Sequence, residues 1–317
     1  PKYNGGLFAT DELLDSLIID DMYLDMEAQK LSDFDFVSEI SVNILGHIFE
    51  QSLTDLEEMN ASINDTEFDK KKSKRKKDGV FYTPEYITRY IVENTLGKLC
   101  TEKKAALGLD AIEMPENAKK LTKSEKETLA RLYEYRDYLL NLKILDPACG
   151  SGAFLNQALE FLIREHRNVD EYRRAYENEA LSLYDIETNI LEHNLYGVDI
   201  NEDAVEIARL SLWLRTAQKG RALTNLSDKI KCGNSLIADK SVAENAFVWE
   251  EEFPEVFAQG GFDVVIGNPP YVFARENMNQ IEKDYYVKKY KSANYQINTY
   301  LLFMEKAVEL IQSNAYY

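Results

Sequence analysis

The stretch Ile144-Leu145-Asp146-Pro147-Ala148-Cys149-Gly150-Ser151-Gly152-Ala153-Phe154-Leu155 decides the fold. A short apolar run ends in an acid, two spaced glycines allow a tight turn with close backbone approach to a ligand, and an apolar helical pattern follows. Strand, turn and helix start in succession leave unpaired amide donors at the end of a strand, which suits a nucleotide-like ligand. A phosphate loop is excluded because no Gly-Lys-Ser/Thr follows, and the three spaced glycines of dinucleotide sites are missing. On this motif alone, a glycine turn that serves only strand-to-helix packing remains the alternative. Cys149 and Ser151 have no His in a suggestive pattern nearby and are not read as nucleophiles.

The same texture continues on either side. Residues 143–145, 195–198, 229–232 and 262–266 read as strands, and 153–165, 202–215 and 298–311 as helices. Strands apolar on both faces, alternating with helices, predict an α/β fold with a doubly wound, mostly parallel sheet. Upstream, 1–60 reads as a helical lead-in, through Leu13, Leu14, Leu17 and Ile18 and then Val37, Ile40, Ile44 and Ile48. Residues 61–78 form a basic linker in which seven of the eight positions 70–77 are Lys or Arg; it reads equally as a solvated arm or a phosphate-contacting strip. The main domain spans 79–317, with a charged helical insertion at about 98–141. Its first helix opens at Thr83-Pro84-Glu85, where Thr83 can cap and Pro84 suits the first turn.

The chain's net charge of −18 is unevenly spread. Residues 1–69 hold 17 acids against 2 lysines, a net of −15, which leaves −3 for 70–317. The acidity therefore does not veto a nucleic-acid partner, but phosphate affinity must come from a local patch or from outside this chain. Three scattered cysteines and three histidines give no paired ligand spacing, so neither a disulfide scaffold nor a metal site is expected. No apolar run approaches the ~18 residues of a membrane span, and a cytoplasmic protein without membrane contact is expected.

Three further motifs end strands. In Leu195-Tyr196-Gly197-Val198-Asp199-Ile200, the acid could accept hydrogen bonds from two ribose hydroxyls or could cap the helix near Asn201. In Cys232-Gly233-Asn234-Ser235, an amide could read the edge of an adenine ring. Most telling is Phe262-Asp263-Val264-Val265-Ile266-Gly267-Asn268-Pro269-Pro270-Tyr271. An apolar strand delivers an amide, a rigid Pro-Pro turn and an aromatic ring to the sheet edge where open parallel sheets bind ligands. An exocyclic amino group on an aromatic ring is a poor nucleophile because its lone pair is delocalised. The Asn268 side-chain oxygen and the Pro269 carbonyl can accept both amino hydrogens, and Tyr271 offers a face for stacking the flat group.

Together these motifs resemble the amino-group methyltransferases that use S-adenosylmethionine, and more closely the gamma-class N6-adenine DNA methyltransferases. In that class a segment like Phe81-Tyr82-Thr83-Pro84 precedes the glycine motif. Tyr3-Asn4-Gly5-Gly6-Leu7-Phe8 and Ile44-Leu45-Gly46-His47-Ile48-Phe49-Glu50 are similar to the helical region before the methylase in single-chain type IIG restriction-modification enzymes. The resemblance implies a Rossmann-like fold and S-adenosylmethionine as cofactor. Tyr82, Thr83, Asp146, Ala148, Gly150 and Gly152 would lie around its methionine part, Asp199 at the ribose, and Ile200 with Asn234 at the adenine. Asn268, Pro269, Pro270 and Tyr271 would carry the reaction, and Tyr271 with Phe303 would hold a flipped adenine of double-stranded DNA. Phe303 shares a helical face with Tyr300, Met304 and Ala307, so core packing stands beside that role.

The implied activity is site-specific adenine-N6 methylation of DNA in a restriction-modification system. An N5-glutamine or RNA amino methyltransferase, and a non-catalytic cofactor-gated subunit that binds DNA or regulates a partner nuclease, are the alternatives. Relatives often carry Asp where this chain has Asn234. The resemblance also implies more strands after Tyr317, then a separate DNA-recognition domain, with room for a nuclease elsewhere in a parent chain. A C-terminally truncated sheet with an exposed edge is expected.

Overall fold

The computed structural model describes residues 83–316 apart from 116–119, 178–185, 217–224, 273–277 and 295–296, together with isolated residues before 83. The lead-in over 1–60 lies almost wholly outside the described residues, and the basic run 70–77 and Tyr82 lie entirely outside them.

Five parallel strands form one sheet: β1 (Ile144–Asp146), β2 (Leu195–Asp199), β3 (Ile230–Cys232), β4 (Phe262–Val265) and β5 (Ile311–Tyr316), in the order β3-β2-β1-β4-β5. β1, β2 and β4 are short but largely buried, which is why their sequences read as apolar runs without alternation. Ile144 faces one apolar cluster with Leu155, Leu159, Val205 and Leu212, while Leu145 faces another with Phe247, Trp249, Phe253 and Phe262. A core on each face is what a doubly wound sheet requires.

The helices are α1 (Glu85–Asn94), α2 (Leu96–Ala106), α3 (Lys123–Asn141), α4 (Ala153–Glu177), α5 (Ile186–His193), α6 (Glu202–Thr216), α7 (Trp249–Glu252), α8 (Pro254–Phe257), α9 (Gln280–Lys289) and α10 (Thr299–Leu310). The four expected strands are present within a residue or two. One expectation is corrected, and two features go beyond what was expected. The helix expected over 153–165 runs on to Glu177, because Val169, Arg173 and Tyr176 continue its buried stripe. The charged segment 98–141 supplies Cys100, Leu132, Tyr135 and Leu139 to the same core cluster as β1, so α2 and α3 pack on the body of the domain. Most consequential, β5 follows α10 and pairs in parallel with β4, Phe262 opposite Ile311, so β4 is an interior strand and the sheet ends at β5, a strand the sequence reading did not place. Gln312, with its side-chain amide bonded to Asp263, and Gly261, whose absent Cβ would stand 2.6 Å from the Leu310 carbonyl, fit this crossing tightly.

The strand order has one reversal. From β1 the chain steps outward to β2 and β3, then returns to the other side of β1 for β4 and β5. The crevice between the ends of β1 and β4 is the topological switch point at which such sheets bind ligands.

A candidate active site at the switch point

The loop after β1 and the loop after β4 meet at this crevice. Gly150 has φ +50°, left-handed backbone that suits glycine, and a Cβ there would meet nothing within 4 Å. Its surroundings are open because it borders a cavity of about 260 Å³. Gly152, at φ +86°, is different: a Cβ would stand 3.1 Å from the Ala208 Cβ, so this glycine lets α4 approach α6. The two glycines of one motif divide into a ligand-side position and a packing position, and Gly152 is not among the cavity-lining residues.

Side chains from three strand ends hold the turn. One oxygen of Asp199 accepts the Gly150 N–H at 2.8 Å and the other the Asn201 N–H at 2.9 Å. Asp199 also lines the cavity, so its carboxylate can accept from hydroxyls of a ligand there. Asn201, not Asp199, takes the helix-capping bond, its side-chain oxygen accepting from the Ala204 N–H at 3.2 Å. Ser235 donates to the Pro147 carbonyl at 2.6 Å and accepts the Trp249 indole N–H on its own carbonyl at 3.0 Å, fixing the β3 loop against the glycine turn. Asn234 lines the cavity, its side-chain oxygen accepting the Leu236 N–H at 3.1 Å, with the Tyr286 hydroxyl hydrogen-bonded to its side chain.

Asp146 is buried at the cavity floor and accepts the Ala148 N–H at 3.1 Å. Burial pushes its carboxyl up to about 8, with the nearby Asp199 charge adding to the shift and the Ala148 amide opposing it. The carboxylate fits only because Gly267 has no side chain: a Cβ there would stand 2.6 Å from Asp146 Oδ1. Cys149 is likewise buried, its thiol driven well above the ordinary range by desolvation, which leaves no nucleophile.

Asn268 emerges where β4 ends and borders two spaces at once. One is the glycine-turn cavity; the other is a cleft of about 480 Å³ between α1 and α10, lined by Thr83, Ile87, Ile91, Pro269, Tyr271, Tyr300 and Met304. Among the described residues, only Thr83 and Asn268 line both. The expected cap at Thr83 is corrected: Pro84 is the N-cap of α1 without a side-chain bond, and the Thr83 hydroxyl instead accepts from Asn268 Nδ2 at 3.3 Å. With the amide nitrogen so engaged, the Asn268 oxygen remains to accept from a ligand.

Of the residues expected to touch cofactor, Thr83, Asp146, Ala148, Gly150, Asp199, Ile200 and Asn234 all line the first cavity. Pro270 lines it too, whereas Pro269 and Tyr271 line the cleft. Tyr271 is 54% exposed and its ring stacks on Tyr300, centroids 5.0 Å apart at 12°. Phe303 is buried against Leu236, Ile237 and Tyr290 and has one side on the first cavity. The sequence reading missed Met278, Glu282 and Tyr286, which α9 and the preceding turn bring to the cavity wall. The one local signal was Asn279 with Glu282, a reciprocal capping box that starts α9.

This arrangement defines a Rossmann-like α/β protein with a ligand cavity at its switch point. Residues 193–317 match the family described as Eco57I restriction-modification methylase. The chain is 29% identical over 346 aligned residues to the Escherichia coli type II restriction enzyme and methyltransferase RM.Eco57I, covering 99% of this chain and 30% of that protein. It is 31% identical over 264 residues to the putative type II restriction enzyme and methyltransferase RM.MjaORFECS2P of Methanocaldococcus jannaschii, covering 75% of this chain and 21% of that protein. Among solved structures, the type IIL restriction-modification enzyme MmeI in complex with DNA shares the fold, with a TM-score of 0.52 at 20% identity over 78% of this chain and 31% of that one. The chain thus spans under a third of the length of these relatives.

Proposed function

We propose that this chain is the methyl-transferring part of a site-specific DNA adenine-N6 methyltransferase in a restriction-modification system, with S-adenosylmethionine as donor. The observation that carries the reading is the position of Asn268 between the glycine-turn cavity and the aromatic cleft.

The first cavity fits the donor chemically. The Asp146 carboxyl at its floor is kept neutral up to about 8 by burial and would regain its charge beside a cation. Asp199 lines the cavity with a carboxylate that can accept from a ribose diol, and the turn at Gly150 admits a ligand against bare backbone. Asp146, Ala148, Gly150 and Thr83 would hold the methionine part, Asp199 the ribose, and Ile200 with Asn234 the adenine. S-adenosylmethionine, when bound, supplies a methyl group activated on a sulfonium sulfur.

The chain's own residues prepare the acceptor. A target adenine turned out of its duplex would enter the cleft, where the exposed Tyr271 ring offers a stacking face and Tyr300 backs it. Asn268 Oδ1 and the Pro269 carbonyl would accept the two amino hydrogens, keeping the nitrogen lone pair available and supporting the positive charge that develops on it. Thr83 holds the amide in the orientation that presents its oxygen. Double-stranded DNA is the partner, with base reading assigned to a recognition domain elsewhere in a longer protein.

The test is incubation of the full chain with methyl-labelled donor and three acceptors: adenine-containing duplex DNA, RNA, and a glutamine-containing protein. Label recovered as N6-methyladenine in DNA is the expected result. Label confined to RNA or to glutamine overturns the substrate assignment, and binding of donor and DNA with no transfer to any acceptor favours a regulatory subunit.

A further inference from the structure

Tyr271 is unusually exposed for a ring meant to define a site, and neither the Pro-Pro turn nor its stacking on Tyr300 fixes the backbone after it. That backbone is held by Thr299, a buried polar residue at the start of α10. The Thr299 hydroxyl accepts the Val272 N–H at 2.9 Å and donates to the Pro270 carbonyl. Its main-chain N–H donates to the Val272 carbonyl at 3.1 Å. One residue therefore grips the chain on both flanks of Tyr271, through three hydrogen bonds.

Helix capping does not explain it. The cap of α10 is Asn298, whose side-chain oxygen accepts the Tyr300 N–H at 3.1 Å. A hydroxyl has one donor and two acceptor positions, so it can take an N–H and give to a carbonyl at once; the isosteric Val can do neither, and Ser can do both. Because Tyr300 follows Thr299 directly, the same helix start also sets the ring on which Tyr271 stacks.

We propose that Thr299 is a positioning residue for the transfer reaction: its hydroxyl locks the Pro270–Val272 segment so that the Tyr271 ring and the Asn268–Pro269 acceptors keep one geometry toward a flat amino-bearing substrate. This rests on the methyltransferase reading above. Misplacing such a segment by about 1 Å is enough to cost on the order of 100-fold in turnover.

The experiment compares the full chain with its T299V and T299S variants in three measurements: kcat and KM with duplex DNA, donor affinity, and exchange of the Val272 amide hydrogen. T299V is expected to lower kcat by about 10- to 100-fold, by more than it weakens donor binding in the cavity that Thr299 borders, and to speed Val272 exchange. T299S is expected to restore both. Normal turnover in T299V, or T299S as impaired as T299V, overturns the assignment while leaving the methyltransferase reading intact. A wild-type chain that transfers no methyl group to any acceptor overturns that reading, and the reaction assigned to Thr299 with it. Val272 exchange that is equally fast in wild type and T299V overturns the clamp itself.

Discussion

Gly150 and Gly152 stand two positions apart and are replaceable at different costs. Gly150→Ala adds a methyl group that meets nothing in the protein, so the expected stability loss is the left-handed backbone penalty of about 1–2 kcal/mol, with the methyl projecting into the cavity and weakening donor binding. Gly152→Ala suffers the same backbone penalty and also drives a Cβ to 3.1 Å from Ala208. Chemical denaturation should show the larger loss at Gly152, and donor titration the larger loss at Gly150; the reverse ranking in either assay contradicts the division. Asp146 makes a pH prediction. Its carboxyl is raised from 3.8 to about 8 in the folded protein, so the stability it contributes is complete below pH 3.8 and is lost as pH rises through 8. Asp146→Asn should flatten that part of the pH–stability curve. A cationic donor should restore the charge, so calorimetry near pH 7 should detect release of about one proton on binding, absent in Asp146→Asn. Binding without proton release in the wild type would falsify the assignment of Asp146 to the cationic end of the donor. Most of these residues were legible in the sequence because they sit where a strand meets a turn. Gly267 was quoted but given no role, since its importance lies in a carboxylate from another strand.

At the scale of elements, legibility followed burial. β1, β2 and β4 carry largely apolar runs because both faces are covered, with Asp263 the polar interruption in β4, and these could be placed to within a residue or two. β5, Ile-Gln-Ser-Asn-Ala-Tyr, has only Ile311 and Tyr316 to mark it as an apolar strand, so its pairing with β4 was invisible. α9 was missed for a related reason: Gln280–Lys289 is mostly charged and turns a single fully buried ring, Tyr286, toward the site. α3 shows how a charged helix is secured without a strong apolar signal. Thr122 accepts the Glu125 N–H at 3.3 Å while the Glu125 side chain accepts the Thr122 N–H at 2.6 Å. Thr122→Ala should cost about 1 kcal/mol by thermal or urea unfolding while leaving donor affinity unchanged. A shift in donor affinity would mean that α3 communicates with the cavity, which its packing against α4 does not require.

Across the molecule, the charge distribution bears on how the proposed DNA partner would be held. With −15 on residues 1–69 and −3 on the remainder, the body of the chain has no surplus of positive charge for phosphates, and the basic run 70–77 is the sequence's one concentrated source. Replacing its seven Lys and Arg with Gln should reduce the slope of log affinity against log salt for duplex DNA by up to about 6, one phosphate per side chain. An unchanged slope would mark the run as a solvated arm. The central claim is narrower, and it concerns the crevice between β1 and β4. A crystal structure with S-adenosylmethionine or a stable analogue tests it most directly. The account predicts the donor's sulfur in the cavity beside Gly150, its methyl directed to the Asn268 side, and its ribose on Asp199. Donor bound outside that cavity, or an Asn268 amide turned away from it in the complex, contradicts the account.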